Sequence, residues 1–169
     1  MKVSRTVRSR GKDGDDLKVL PIAITLEKSI DIVKKVLVLF YINNINVIRV
    51  GLQATEDIAI GKEVLAGPYH PAYRELVESK MYGDFIEHLI KTYEVKKNLV
   101  VLVNKRNVSR ILGNKKSNVI EIKEKYDVLL KTKEANLDIN ELEFVLDDEK
   151  TIKFNTKEIY MKLSDIYNL

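Results

Sequence analysis

The chain has 169 residues, 45% of them hydrophobic, and 29 Lys and Arg against 25 Asp and Glu leave a net charge of +4. That length suits one generous domain or two small ones, and it can bury a core without staples. Cysteine is absent, which excludes disulfides, thiolate-bound zinc, iron–sulfur clusters and a cysteine nucleophile, and suits a reducing cytoplasm.

The basic start of the chain is not followed by the apolar stretch that a secretory signal requires. The longest apolar run, Val36 to Ile42, has seven residues, whereas a membrane-spanning helix needs roughly 20. A soluble, cytoplasmic protein with no membrane partner is expected. Charge is unevenly placed: Lys91 to Lys133 holds 12 Lys and Arg against 4 Asp and Glu, and the remainder to the C-terminus holds 4 against 9. A basic block of this kind is the footprint expected for a polyanion partner, although lysine-rich helices are also often simply solvated.

Residues 1–19 read as a flexible tail, broken by Gly11, Gly14 and an aspartate cluster. Thr25 is a candidate N-cap, with Glu27 suited to the first turn of a helix that carries Ile30, Val33, Leu37 and Tyr41 at helical spacing. Asn43-Asn44 stops it, and Ile45 to Leu52 is β-branched and short, as a strand would be. Such a helix–turn–strand unit is half of a β/α repeat, and its parallel strand lacks neighbours in this chain.

After a loop from Gln53 to Tyr69, Pro71 sits at the first turn of a helix to about Met81. On that helix Ala72, Leu76 and Val77 face inward, and Arg74, Glu75, Glu78 and Lys80 outward. Gly83-Asp84 restarts another helix. From residue 98 the expected order is a strand (Leu99–Val103), a short helix from Asn107 and a turn at Gly113–Lys116. A second helix (Ser117–Tyr126), a strand (Val128–Lys131) and a polar loop (Thr132–Asn140) follow. A hairpin (Leu142–Val145, Thr151–Phe154) then leads to a helix capped by Asn155 with Glu158.

Two stretches resemble known families. Val47-Ile48-Arg49-Val50-Gly51-Leu52-Gln53 and Ala66-Gly67-Pro68-Tyr69-His70-Pro71-Ala72-Tyr73-Arg74 are similar to the C-terminal part of certain bacterial radical S-adenosylmethionine proteins. Those proteins are related to the catalytic subunit of Elongator and are often labelled oxygen-independent coproporphyrinogen oxidase-like. There an "IRxGLQPT" strand closes a partial β/α barrel and a "GPxHPAxRxLV" element follows; here Ala54 replaces the proline. The motif residues are Gly51, Gln53, Gly67, Pro68, His70, Pro71 and Arg74. The resemblance implies that Val50, Gly51 and Leu52 would lie near the adenine of the cofactor in a complete protein.

The family holds a four-iron cluster on three cysteines, and this chain has none to offer. The chain alone is therefore not expected to be an enzyme or to carry a cofactor. The cluster and S-adenosylmethionine would belong to a full-length parent, of which this is a truncated frame or a relic. An acetyltransferase role is not supported, because the closest glycines, Gly11 and Gly14, form no loop suited to a pyrophosphate.

The second likeness is that of Val108-x-x-Ile111-Leu112-Gly113-Asn114-Lys115-Lys116-x-x-Val119-x-x-Ile122, followed by Val128-x-Leu130, to the core of a KH domain. That family reads "VxxIIGxxGxxIxxI" and then a strand, in the order strand, helix, helix, strand, strand, helix. It implies an RNA clamp at the turn, with Lys105, Arg106, Arg110, Gly113, Asn114, Lys115 and Lys116 as the RNA-binding set. Lys116 stands where the family has its second glycine, a residue that permits closer backbone approach. A plain helix–turn–helix connection with solvated lysines, or a protein-binding surface, remains open.

His70 reads as a structural residue at a helix start, and His88 as half of an exposed pair with Asp84. Two distant histidines make no metal site. The expected fold is α/β, a barrel-end helix–strand unit followed by a KH-like α+β domain. Its parts are the tail (1–19), the barrel end (20–66), a bridging His-Pro helix (67–83) and the KH-like domain (84–169). Expected partners are RNA, with transfer RNA the candidate, and the missing N-terminal radical barrel. The alternative is a structural or homodimerising domain that closes that barrel and binds no nucleic acid.

Overall fold

The first long element of the computed structural model, helix α1 (Leu26–Ile42), begins where Thr25 accepts the Lys28 N–H on its hydroxyl at 3.3 Å. The structure describes residues 6–8, 19–21, 24–52 and 68–169. Strand β1 (Thr6–Arg8), within the segment read as a tail, pairs antiparallel with β2 (Val19–Pro21), which starts at that segment's last residue. Asn43 ends α1, donating its carboxamide N–H to the Leu39 carbonyl at 2.8 Å, and Asn44 turns the chain in a left-handed conformation.

Residues 45–52 then run back along α1 without forming the expected strand. The residue types suit a strand, but a strand exists only by pairing, and no sheet edge lies beside this one among the described residues. Its carbonyls at Val47 and Ile48 instead accept from the Arg74 guanidinium at 3.0 and 3.3 Å.

Helix α2 (Tyr73–Tyr93) is continuous, where two helices were expected. Gly83 does not break it, because the α2 ladder continues on both sides and Gly83 admits another side chain. A Cβ there would stand 2.8 Å from Oδ1 of Asn118. Pro71 lies in the turn before the helix rather than in its first turn. Glu94, left-handed at the C-cap, leads into the sheet.

That sheet has the order β4-β3-β5-β6, from β3 (Asn98–Val103), β4 (Leu129–Glu134), β5 (Glu141–Leu146) and β6 (Lys150–Asn155). β3 and β4 are parallel, joined through α3 (Val108–Leu112) and α4 (Ser117–Tyr126), and the other pairings are antiparallel. The class is α/β, as expected. The order from residue 98 carries one strand more than the six-element KH order, because both arms of the last hairpin join the sheet. β4 also extends to Glu134, three residues into the expected polar loop, because β3 offers partners as far as Val103.

Leu99, Val101 and Val103 of β3 and Leu142, Phe144 and Leu146 of β5 point into one core, as period-two alternation requires. Phe85 of α2 meets Phe144 and Phe154 edge-on, with ring centroids 5.6 and 5.2 Å away. Helix α5 (Thr156–Tyr167) starts in the expected capping box, Asn155 with Glu158. It buries Ile159 and Leu163 and stacks Tyr160 on Tyr41 of α1 at 4.6 Å.

Leu37 and Val38 of α1 belong to the same buried cluster as the sheet. Lys34 of α1, nearly buried, binds Asp84 of α2 at 2.8 Å, and the Tyr167 O–H donates to that carboxylate at 2.7 Å. The three helices are thus tied by one charged node as well as by apolar contact. Asp84 does not face His88; His88 meets Thr92 instead, at 3.4 Å. No helix among the described residues is long and apolar enough to cross a membrane.

Candidate nucleic-acid interface

Helix α3 is five residues long and carries a basic pair near each end. At its start, Asn104 accepts the Arg106 N–H at 3.1 Å and folds Lys105–Asn107 into a single 3-10 turn, leaving Lys105 and Arg106 exposed. Asn107 beneath them is buried and donates to the Ile139 carbonyl at 2.6 Å. Asn104 donates to the Leu137 carbonyl at 3.0 Å, so the turn is stapled to the loop before β5.

At the other end, Gly113 has φ +79°, and a Cβ on it would collide with Oγ of Ser117. Both the backbone conformation and the space therefore demand glycine here. Lys115 and Lys116 follow with φ of 51° and 61°, left-handed at two successive non-glycine residues, and both side chains are exposed. The turn is held from below by Asn118, a buried side chain that donates to the Ser79 carbonyl at 2.9 Å and to the Ile111 carbonyl at 3.0 Å. One amide thus fixes α2, the end of α3 and the start of α4. Asn114, half-buried, faces a recess shared with Glu27, Asp31 and Glu121, so the cationic face of this turn is the one carrying Lys115 and Lys116.

Arg110 is not among the residues available to a ligand in the same way. Its Nε donates to Oε2 of Glu78 at 2.9 Å, and its terminal nitrogen donates to Oδ1 of Asn107 at 3.0 Å. Glu78 was expected to face outward, yet its side chain is only 9% exposed. It is buried because two guanidiniums meet it there: Arg74 Nε donates to Oε1 at 2.8 Å, opposite Arg110 on Oε2. A carboxylate shared by two cations tolerates burial that a lone one would not. Tyr82 and Tyr160 pack beside this cluster, and burial pushes both hydroxyls up from the ordinary range.

The barrel-type motif residues separate into those the structure brings together and those it does not describe. Gly51 has φ +81° and lies against Tyr73, whose Cδ1 would be 3.0 Å from a Cβ at 51. Val50, Gly51, Leu52, Pro68 and His70 line one largely apolar cavity of about 400 Å³ with Ser29 and Tyr73, so both motif pieces converge. His70 Nδ1 accepts the Ala72 N–H at 3.1 Å, a structural bond at the start of α2. Arg74 is a strut between Glu78 and the 45–52 backbone. Pro71 is exposed in the turn. Gln53 and Gly67 lie outside the described residues.

The chain has no thiolate to hold an iron–sulfur cluster. No three His, Asp or Glu side chains come together as metal ligands among the described residues. Sequence reasoning missed Asn118, read Glu78 as an outward charge and took Asn107 as a helix cap; its side chain caps no N–H and is spent on the Ile139 carbonyl and the Arg110 guanidinium instead. The one local hint was Gly83, since an isolated glycine inside a helical pattern signals close approach by another group.

No protein family, no curated protein and no solved structure matches the chain. The likenesses to the radical S-adenosylmethionine proteins and to the KH domain rest on the residues quoted for them.

Proposed function

We propose that this chain is a non-catalytic module that captures RNA through the Gly113–Lys116 turn. The observation that carries the reading is the pair Lys115 and Lys116, exposed side by side on left-handed backbone between two helix ends. Left-handed backbone costs a non-glycine residue about 1–2 kcal/mol, and neither lysine is buried in return. The Lys116 N–H to Gly113 carbonyl bond at 3.0 Å and the Asn118 amide beneath hold the backbone there, and both side chains are left to reach outward. Two ammonium groups at a tight turn suit phosphate oxygens, and Lys105 and Arg106 extend the same charge along α3. In this reading the RNA, transfer RNA first, is presented to a radical enzyme partner that carries the cluster and S-adenosylmethionine.

Filter binding of transfer RNA across a salt series tests it. Affinity should fall with a log–log slope of about 0.7 to 0.9 per neutralised phosphate. Undetectable binding at low salt defeats the reading.

A second reading has its own observation. Ile32, Val36, Leu39 and Phe40 of α1 are exposed in a row, and Ile45, Ile48 and Leu52 continue it along the segment that folds back beside the helix. Ile48 is 89% exposed. So many large apolar side chains exposed on two neighbouring segments favour a partner. Ile32, Val36 and Phe40 are spaced evenly about Val36, so an antiparallel two-fold pairing sets Ile32 against Phe40 and Val36 against itself. That self-complementary spacing favours a second copy of this chain as the partner. Sedimentation equilibrium tests it, and a strictly monomeric chain at every concentration sinks it.

A further inference from the structure

A groove of about 620 Å³ lies between the end of α1 and the start of α5. We propose that it is a nucleobase subsite for the same RNA strand that the lysine turn holds, an inference that rests on the RNA reading above.

The chemistry of the walls selects the ligand. Tyr41 and Tyr160, half-buried and stacked on each other at 4.6 Å with 27° between the rings, form one side. Asn44 and Asn46 come from the turn after α1, Asn140 from the loop before β5, and Asn155 from the end of β6. Carboxamides present donors and acceptors together, the pairing that reads the edge of a base. The Asn155 carbonyl oxygen is spent on the Glu158 N–H, which leaves its NH₂ as a donor. Asn140 uses its main chain to tie the loop before β5 to the start of α5: its N–H donates to Asp138, and its carbonyl accepts from the Thr156 N–H at 2.7 Å and hydroxyl at 3.0 Å. Its carboxamide takes no partner among the described residues. No carboxylate lines the groove among those residues, and its one charge is Lys157, whose ammonium donates to the Asn44 side-chain oxygen at 3.5 Å and keeps N–H groups to spare. A cation has nothing to bind there. A flat, neutral heteroaromatic ring next to a phosphate fits aromatic, amide and ammonium groups at once.

Its place relative to the basic residues sets the register. The Lys105–Asn107 turn is fastened to Leu137 and Ile139, and Asn140, next in sequence, is the groove wall. α3 then spans roughly 8 Å to the Lys115–Lys116 turn. A single strand laid along α3 meets cations at both helix ends, and its base beyond Lys105 reaches the groove.

The test uses the whole chain, with fluorescence anisotropy of three probes: a short labelled oligoadenylate, an abasic ribose–phosphate oligomer of equal length, and unlabelled adenosine monophosphate as competitor. The oligoadenylate should bind about tenfold more tightly than the abasic oligomer, as one stacked and edge-read base provides. Asn140→Ala should remove most of that difference and leave abasic binding unchanged. Asn46→Ala, in a segment without regular structure, should act in the same direction. Lys115→Asp with Lys116→Asp should weaken both oligomers by the same factor. Equal binding of the two oligomers, or indifference to both asparagine variants, overturns the subsite and leaves the lysine turn standing. Adenosine monophosphate competing as well as the oligomer assigns the groove to free nucleotide and overturns the link to the strand. Failure of every probe at low salt defeats the RNA reading itself, and the subsite falls with it.

Discussion

A methyl group on Gly83 would stand 2.8 Å from Oδ1 of Asn118, so the middle of α2 and this side chain are fitted to one another. Alanine is worth about 1 kcal/mol more than glycine in a helix interior, so helix propensity alone makes Gly83→Ala stabilising. The close approach argues the reverse. The added carbon displaces a buried amide that satisfies the Ser79 and Ile111 carbonyls, and orphaning such groups costs about 1–3 kcal/mol each. Gly83→Ala should lower the free energy of unfolding by a net of about 1–5 kcal/mol, seen as a lower urea midpoint. A raised midpoint would show that Asn118 moves aside without cost.

Acid stability should depend on Glu87. Burial raises its pKa, but hydrogen bonds from Lys91 at 2.8 Å and the Tyr126 hydroxyl at 2.5 Å outweigh that and hold the carboxyl down at about 2. A carboxylate depressed in the fold stabilises it above the ordinary value of 4.5, and that contribution is lost as pH falls from there towards 2. Water screens Lys91, whose side chain is 61% exposed, so the expected size is about 1–2 kcal/mol. Glu87→Gln should flatten the decline of stability across that window and leave its shape unchanged at neutral pH. Parallel pH profiles for the two proteins would remove Glu87 from the account.

What was legible in the sequence was local. Thr25, and Asn155 with Glu158, announce helices because a cap bonds within three residues of itself. The β-branched run Leu99–Val103 announces a strand that has partners on both sides. Ile45–Leu52 has the same composition and no strand partner among the described residues, and composition cannot carry that difference. Glu78 reads as an outward charge on the period of α2. Arg74, one turn earlier, is a partner the helical period offers, but Arg110, the second cation that makes the burial tolerable, is far away in sequence. Gly83 reads equally as a break or as a close approach, and nothing near it in the sequence says that Asn118 is the group lying across it. The lysine turn was visible as a charge pattern. Its two left-handed residues were not, because lysine carries no preference for that conformation.

The apolar row gives a prediction independent of RNA. Ile48 is almost wholly exposed in the folded chain, so Ile48→Lys should alter stability by no more than about 0.5 kcal/mol. Val36→Lys, at the centre of the helical row, should act similarly on the fold and more strongly on association. Sedimentation equilibrium should show a reversible dimer for the parent chain and monomer for the double variant. A dimer that survives both changes would locate the interface elsewhere, and a parent chain that stays monomeric would leave the row to a different protein.

The lysine turn separates charge from backbone in one pair of variants. Lys115→Asp with Lys116→Asp reverses the charge where phosphate is proposed to lie, and should reduce transfer RNA binding steeply. The magnitude of the salt slope should drop by about 0.7 to 0.9 for each phosphate that is no longer neutralised. Lys150→Asp with Lys162→Asp changes the same charge on the acidic stretch from residue 134 to the C-terminus, with Lys150 over the Tyr93 ring and Lys162 over Phe154. That pair should matter little to binding. Equal losses from the two pairs would mean diffuse attraction and no clamp. Lys116→Gly asks the other half of the question. Residue 116 has φ 61°, a conformation glycine adopts freely, so this change should raise stability by up to about 1 kcal/mol. It also gives the turn the second glycine of the KH pattern. If phosphate is held by the ammonium group, Lys116→Gly binds RNA more weakly despite folding better. If it is held by main-chain N–H groups at close approach, the same variant binds more tightly, and the role assigned to the Lys116 side chain fails.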